Sequence, residues 1–375
     1  MSFFQKKNPF IINHLLPLII AIFLSIYFLN ILVEDKKIEF NELALGKDTN
    51  TVFANRVNGN KIHCTTPSDL ECLIGYNKKS LTMDLAIWIG NSQLHAINQA
   101  TISDVVAPEL LHRELKNFNK YLITYSLPNV SLLEKYILIN NLVTNTKIGT
   151  LIIPVVYDDT RENIVRDDVI KLIDHKTELK IKFSKSGNKI LNKITESTGE
   201  NIETTSLNNL SENFIENLLK QNLSIWEDRA DLRSKLFNFF YKSRNLIFNI
   251  NSSSIRKKIS SKYKDNLQAL EDIIKISKSE NIDLIIYVAP IRNDIPIPYD
   301  INDYKLFKEE VKKISILNDI KFYNLEGIVP NKHWGDGSKT NFSATKEYDF
   351  MHFKGKGHII LSNELSKIIS NKNAL

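Results

Sequence analysis

LAIWIGNSQLHAINQA, residues 85–100, is the stretch that decides the fold. Its first six residues form a nearly unbroken apolar run that ends at Gly90. A strand with one wet face would alternate. A run that is apolar at almost every position reads as a strand covered on both faces, as in a parallel sheet. Glycine permits a sharp turn after such a strand. The residues that follow predict a helix start, with Ser92 at its N-terminus. Free backbone N–H groups there favour negative charge, and a serine nucleophile would gain from them. A plain N-cap serine accounts for the tripeptide equally well.

Similar runs recur further along the chain: YLITYSL at 121–127, GTLIIPVVY at 149–157, IDLIIYVAP at 282–290 and the shorter IKFYNL at 320–325. Between them lie segments with apolar residues three and four apart, at 131–143, 266–280 and 303–317, which predict helices. Strand–helix–strand alternation implies an α/β domain, three layers deep, with a mainly parallel sheet and right-handed crossovers. Residues 158–264 interrupt the alternation. They are rich in Asn, Ser, Lys and Glu, with helical patterns at 212–223 and 229–245, and read as a mostly helical insertion in a domain spanning 81–375.

The chain has 375 residues, 43% hydrophobic and 25% charged, the composition of a folded protein. Residues 9–33, PFIINHLLPLIIAIFLSIYFLNILV, carry no charge and are long enough to cross a bilayer as one helix. Lys6 and Lys7 precede them without an acid, while Glu34, Asp35, Lys36 and Lys37 nearly balance behind them. The positive-inside rule therefore predicts a cytoplasmic tail over 1–8, a single span, and an extracytoplasmic remainder in the inner membrane or its equivalent. A cleaved signal peptide is the alternative, but the run is long for one and no small-x-small site closes it. The net charge of +6 is spread through lysine-rich surface stretches without an arginine or aromatic stripe, which argues against a nucleic-acid ligand. Residues 34–80 read as a connector. They hold both cysteines, Cys64 and Cys72, which outside the cytoplasm favour a local disulfide. Zinc is the weaker reading, since only His63 lies nearby.

At the other end, Asp349-Phe350-Met351-His352 precedes a helical pattern that starts near Ile359. Asp and His three apart can face the same way on a helical turn. A histidine can take the proton of a serine, and an aspartate can fix its tautomer and stabilise its charged form. A surface Asp–His pair at a helix entry is the bland alternative. The strand–Gly-x-Ser that opens the domain and the Asp-x-x-His that closes it make a stronger case together than either does alone.

On these residues the sequence resembles the SGNH (GDSL-like) hydrolase superfamily. It looks most like the membrane-anchored members that transfer acyl groups to envelope polymers, such as the D-alanyl lipoteichoic acid transfer and alginate O-acetylation proteins. IWIGNSQ at 87–93 is similar to the serine block, with Asn91 where many members have aspartate. DFMHFKGKGHIILSNEL at 349–365 resembles the last block. LIIYVAPIRND at 284–294 and Trp334-Gly335-Asp336 also look like the anchored members. The resemblance implies an SGNH-like fold with Ser92 as nucleophile, His352 as base and Asp349 as its orienting acid. It implies no metal or cofactor. Its expected partners are an envelope polysaccharide or glycopolymer and a multi-pass membrane acyltransferase. Two departures stand out. The superfamily's middle-block glycine and asparagine, which complete its oxyanion hole, are absent from TYSLPN at 124–129 and IIPVVYDDTREN at 152–163. Ser126, Asp158, Asp159 and Asn163 fall near those places, and only the Ser92 N–H carries over. A non-catalytic glycan-binding or scaffold protein is thus the rival reading.

Three more residues are candidates for substrate contact. His95 follows Ser92 by three positions, with packing as its alternative. Arg292 lies just past a strand end and forks onto anions, or closes a loop salt bridge. Trp334 offers a face to a sugar, or anchors a loop. His358 reads as packing for the last helix.

Overall fold

The computed structural model describes residues 50–51, 56–69, 71–77, 83–199, 229–337, 340, 342 and 347–372. The 9–33 segment, whose reading is a membrane span, and the helical pattern at 212–223 lie outside them. Among the described residues no helix is long and apolar enough to cross a membrane. The chain falls into two compact units, Met1–Leu43 with Glu203–Phe248 and Ala44–Ile202 with Asn249–Leu375. The described part of the first is almost entirely the helix Arg229–Ile247, which exposes Phe237, Phe239 and Phe240.

The second unit is built on a six-stranded sheet. Its strands in chain order are β1 (His63–Cys64), β2 (Asp84–Gly90), β4 (Lys120–Ser126), β5 (Thr150–Val155), β6 (Asp283–Val288) and β7 (Phe322–Asn324); β3 is the short strand Ala96–Ile97, which lies outside this sheet. The spatial order is β7-β6-β5-β2-β4-β1, with every neighbour parallel. Each central strand is covered on both sides, with period two. Leu85, Ile87 and Ile89 of β2 join one core, while Ala86 and Trp88 join the other. Along β6, Leu284, Ile286 and Val288 face the first core, and Ile285 and Tyr287 the second. Continuous apolar runs are what such two-sided burial demands.

The first core is closed by α2 (Leu132–Asn145), α3 (Lys185–Gly199), α4 (Ser260–Ser279) and α5 (Ile301–Leu317). The second is closed by α1 (Ala107–Leu115) and α6 (Gly355–Lys372). The result is an α/β/α sandwich. Helix α2 starts where its sequence carries a capping box, with Ser131 Oγ accepting from Glu134 N and Glu134 Oε2 from Ser131 N.

Two features depart from the sequence reading. Residues 63–64, within the stretch read as a connector, form the sheet's edge strand, paired with Thr124 and Tyr125. Two residues are too short for a periodic signal. They are held by a disulfide between Cys64 and Cys72, whose Cα atoms are 6.3 Å apart, both cysteines being buried. The second departure concerns the stretch read as an insertion. Residues 158–199 complete the turn Tyr157–Thr160 and form two short helices and α3, and Ile181 and Ile190 join the first core.

Candidate active site

Strand β2 delivers Ser92 to the carboxyl edge of the sheet, where open parallel sheets carry their sites. Gly90 has no room for a side chain: a Cβ there would lie 2.5 Å from Leu94 Cδ1 and 3.0 Å from Pro154 Cγ. Ser92–Leu94 forms a single 3₁₀ turn, not the predicted helix, because Ala96–Ile97 leaves it at once to pair antiparallel with Asn50–Thr51. Asn91 caps the turn, its Oδ1 accepting from Gln93 N at 3.1 Å. One short turn offers local N–H groups but not the dipole of a long helix.

Asp349 and His352 sit on β9 (Tyr348–Phe353), which pairs antiparallel with β8 (Trp334–Asp336) across an irregular register. This too differs from the predicted helical turn. On a regular strand, residues three apart point to opposite faces. Here the Asp349 carboxylate captures the N–H groups of Met351 and His352, both 2.9 Å from Oδ1, and bends the strand into a local turn. The bend brings the imidazole over its own aspartate. His352 Nδ1 lies 3.0 Å from Asp349 Oδ2 and 3.2 Å from Oδ1. Its Nε2 lies 2.8 Å from Ser92 Oγ. Asp349 and His352 are buried and Ser92 is half-buried.

The electrostatics agree with the geometry. Burial works to raise the Asp349 carboxyl, but His352 and the hydrogen bonds it accepts outweigh that, and the group titrates below its usual value of 3.8. Asp349 is therefore ionised behind the imidazole, and Nδ1 is the protonated nitrogen facing it. That leaves Nε2 as the acceptor toward Ser92.

One further residue, silent in the sequence, fastens the serine turn. Gln93 donates from Nε2 to Pro290 O at 2.9 Å and to Met351 O at 2.7 Å, tying the turn to the end of β6 and to β9. The buried Asp159 pairs with Lys135 Nζ at 2.5 Å. Lys135 also donates to Pro154 O at 2.9 Å. Burial raises Asp159 and Lys135 pulls it back, with a net upward shift. No periodicity marks such residues; only the three-dimensional neighbourhood does.

The other candidates are engaged within the fold. His95 is buried and bonded through Nδ1 to Ser126 Oγ, which in turn donates to Asn91 O at 3.1 Å. Burial first, then nearby histidines, pushes His95 down to about 3, so it is neutral. Arg292 is buried against Asp294, with Nε–Oδ1 at 2.7 Å and Nη2–Oδ2 at 3.0 Å, and it lies over the Tyr348 ring. Trp334 is buried, donating to Val329 O at 3.1 Å and meeting Phe353 edge-on. His358 accepts from Ala107 N and donates to Ala96 O, which fixes α6 to the strand after Ser92. Asp158 accepts from Tyr299 and Arg256, and Asn163 donates to Asp265. With Ser126 and Asp159, they make four middle-block residues that already have partners.

No family model matches this chain, and no curated protein does. Among solved structures, an acylhydrolase from Bacteroides fragilis is similar over 81% of this chain and 97% of its own, at 11% identity and a TM-score of 0.37. An active-site mutant of a family two carbohydrate esterase from Clostridium thermocellum is similar over 78% of this chain and 65% of its own, at 9% identity and a TM-score of 0.34. At these scores the site geometry alone carries the functional reading.

Proposed function

We propose that this chain is an SGNH-like serine acyltransferase or esterase. It acts on acyl esters, of which acetyl is the favoured case, of a cell-envelope polysaccharide or glycopolymer. The observation that carries the reading is the Ser92 Oγ–His352 Nε2 contact of 2.8 Å with an ionised Asp349 behind the imidazole. In the proposed reaction His352 takes the Ser92 proton as Oγ attacks the acyl carbon. The Ser92 N–H faces the developing oxyanion. The imidazolium returns the proton to the departing alcohol or thiol. A sugar hydroxyl, or water in the esterase variant, then attacks the acyl-serine and gives its proton to His352, which passes it to Ser92 Oγ as the acyl–serine bond breaks. The 9–33 segment would tether the domain outside the cytoplasm, and a multi-pass membrane acyltransferase would supply the acyl group.

A second reading is a glycan-binding or scaffold protein of an envelope acylation complex. It is favoured by the engagement elsewhere of Ser126, Asp158, Asp159 and Asn163, which leaves few oxyanion donors. Labelling of the full chain with an activated-serine probe separates the two. The enzyme reading expects labelling that Ser92→Ala abolishes. Wild-type protein that neither labels nor turns over an acyl ester would favour the scaffold.

A further inference from the structure

Asn98 lies six residues beyond Ser92, just after β3, and is fully buried. Its backbone N–H donates to Phe353 O at 3.0 Å, joining it to the strand that carries His352. Its side-chain Nδ2 makes two bonds, to Asp349 Oδ2 and to Asp336 O, each 2.9 Å. Reversing the amide would set its oxygen against a carboxylate and a carbonyl, two acceptors, so the orientation is fixed by its partners. Its Oδ1 is buried with no partner among the described residues. An unpaired buried acceptor is unfavourable, and an apolar side chain of the same shape would avoid it. What the amide offers at this position is its two N–H donors.

The surroundings are shaped to hold it. A Cβ on Gly335 would lie 2.0 Å from both Asn98 Cγ and Oδ1, so only glycine admits this side chain. The Gly335 carbonyl is held in turn by Arg292 Nη1 at 2.8 Å. Asp349 Oδ1 accepts two backbone N–H groups and lies 3.2 Å from His352 Nδ1, whereas Oδ2 is bonded, among the described residues, by Asn98 and His352.

We propose that Asn98 is a positioning residue of the site, its amide N–H fixing Asp349 Oδ2 in the orientation that presents it to His352 Nδ1. The role rests on the serine–histidine reading for its functional meaning, but the contact does not. Without the donor, the carboxylate keeps its hold on the backbone through Oδ1 and loses the contact that stops rotation about Cβ–Cγ. The ionised form also loses a hydrogen bond. The other groups that bear on it are His352, directly bonded, and Asp336, which presents its carbonyl here.

The test reads Asp349 directly, by carbon NMR of the full chain carrying carboxyl-labelled aspartate, with the signal assigned through Asp349→Asn. In Asn98→Leu, which keeps the branched outline and loses the donor, the Asp349 titration should move up by about one pH unit. Probe labelling of Ser92 should fall roughly ten- to hundredfold. If Asn98→Leu does not fold, Asn98→Asp is the near-isosteric substitute. There two carboxyl groups share a proton and the Asp349 titration should rise further. An unmoved Asp349 titration in the folded variant overturns the proposal. A moved titration in a protein that never labels upholds the positioning role and removes the enzyme reading. An unmoved titration with undiminished Ser92-dependent labelling does the reverse.

Discussion

Replacing Lys135 by Met tests whether the buried ion pair beneath the serine turn acts as described. Met fills nearly the same space and removes the charge. Lys135 and Asp159 side chains are 0% and 2% exposed, so no solvent screens the loss. Asp159 is already raised above its ordinary 3.8 by burial, with Lys135 opposing. Without the lysine it rises further and stays protonated at neutral pH. An acid whose folded value is raised binds its proton more tightly when folded, so its contribution to stability falls as pH climbs above 3.8. The largest penalty is the cost of that protonation. It is about 1.36 kcal/mol per pH unit above 3.8, or about 1.6 kcal/mol at pH 5 and about 4 kcal/mol at pH 7. This agrees with the roughly 3–5 kcal/mol typical of breaking a buried pair. At about 2–4 °C per kcal/mol, the melting temperature should drop by about 3–6 °C at pH 5 and by about 8–16 °C at pH 7. Scanning calorimetry of the single variant and of Lys135→Met/Asp159→Leu across that range is the assay. The double variant should recover most of the stability. A single variant with the same deficit at both pH values, or a double variant no better than the single, would refute the reasoning.

Gln93→Leu should weaken labelling of Ser92 more than it lowers stability. It releases the turn from Pro290 O and Met351 O, and the stability loss should be about 1–3 kcal/mol for each carbonyl left without its donor. Denaturant melts read beside probe labelling compare the two effects. Gly90→Ala should lower stability by about 1–3 kcal/mol, since its Cβ meets Leu94 and Pro154 in a packed core. Thermal melts would show it, and an unchanged melting temperature would count against the tight approach at this turn. Cys64→Ser/Cys72→Ser should cost about 2 kcal/mol of stability, the same loss that a reductant produces in the wild type, while a wild-type melt indifferent to reductant would exclude it.

How much of this was legible depended on the kind of signal each residue carries. The two-sided burial of β2, β4, β5 and β6 imposes continuous apolar runs, so those strands could be read directly. Helices α2, α4 and α5 carry a 3.6-residue period and were equally plain. Strand β1 could not be seen, because two residues have no period and its pairing partner lies about sixty residues away. Ser92, Asp349 and His352 stood out by residue type and by position at the two ends of the domain. Their local conformations did not. A pattern of Asp-x-x-His fits a helical turn, and it equally fits a strand bent by an aspartate that captures two N–H groups. The sequence also shows nothing of Gln93, Asn98 or the Lys135–Asp159 pair. Each works through a partner distant in the chain, and no spacing rule connects them.

Topology identifies the edge of a sheet on which a site is built, but it leaves open which polar side chains at that edge still have bonds to offer. Arg292 illustrates the difference. It follows β6 at the carboxyl edge, where an anion-binding arginine would be placed. Its guanidinium already spends three donors on Asp294 and the Gly335 carbonyl. The hydrogen bond from Arg292 holds the Asp294 carboxyl below its usual range, so the pair favours its charged, bonded form. A substrate anion would have to displace that carboxylate and free Gly335, loosening the strand on which Asn98 rests. The same holds for His95, whose bond to Ser126 supports the backbone at Asn91, and for Trp334, which packs on Phe353 one residue beyond His352. At this site polar and aromatic residues near the serine act on one another first. In the proposed reaction their effect would run through the angle at which Asp349, His352 and Ser92 meet.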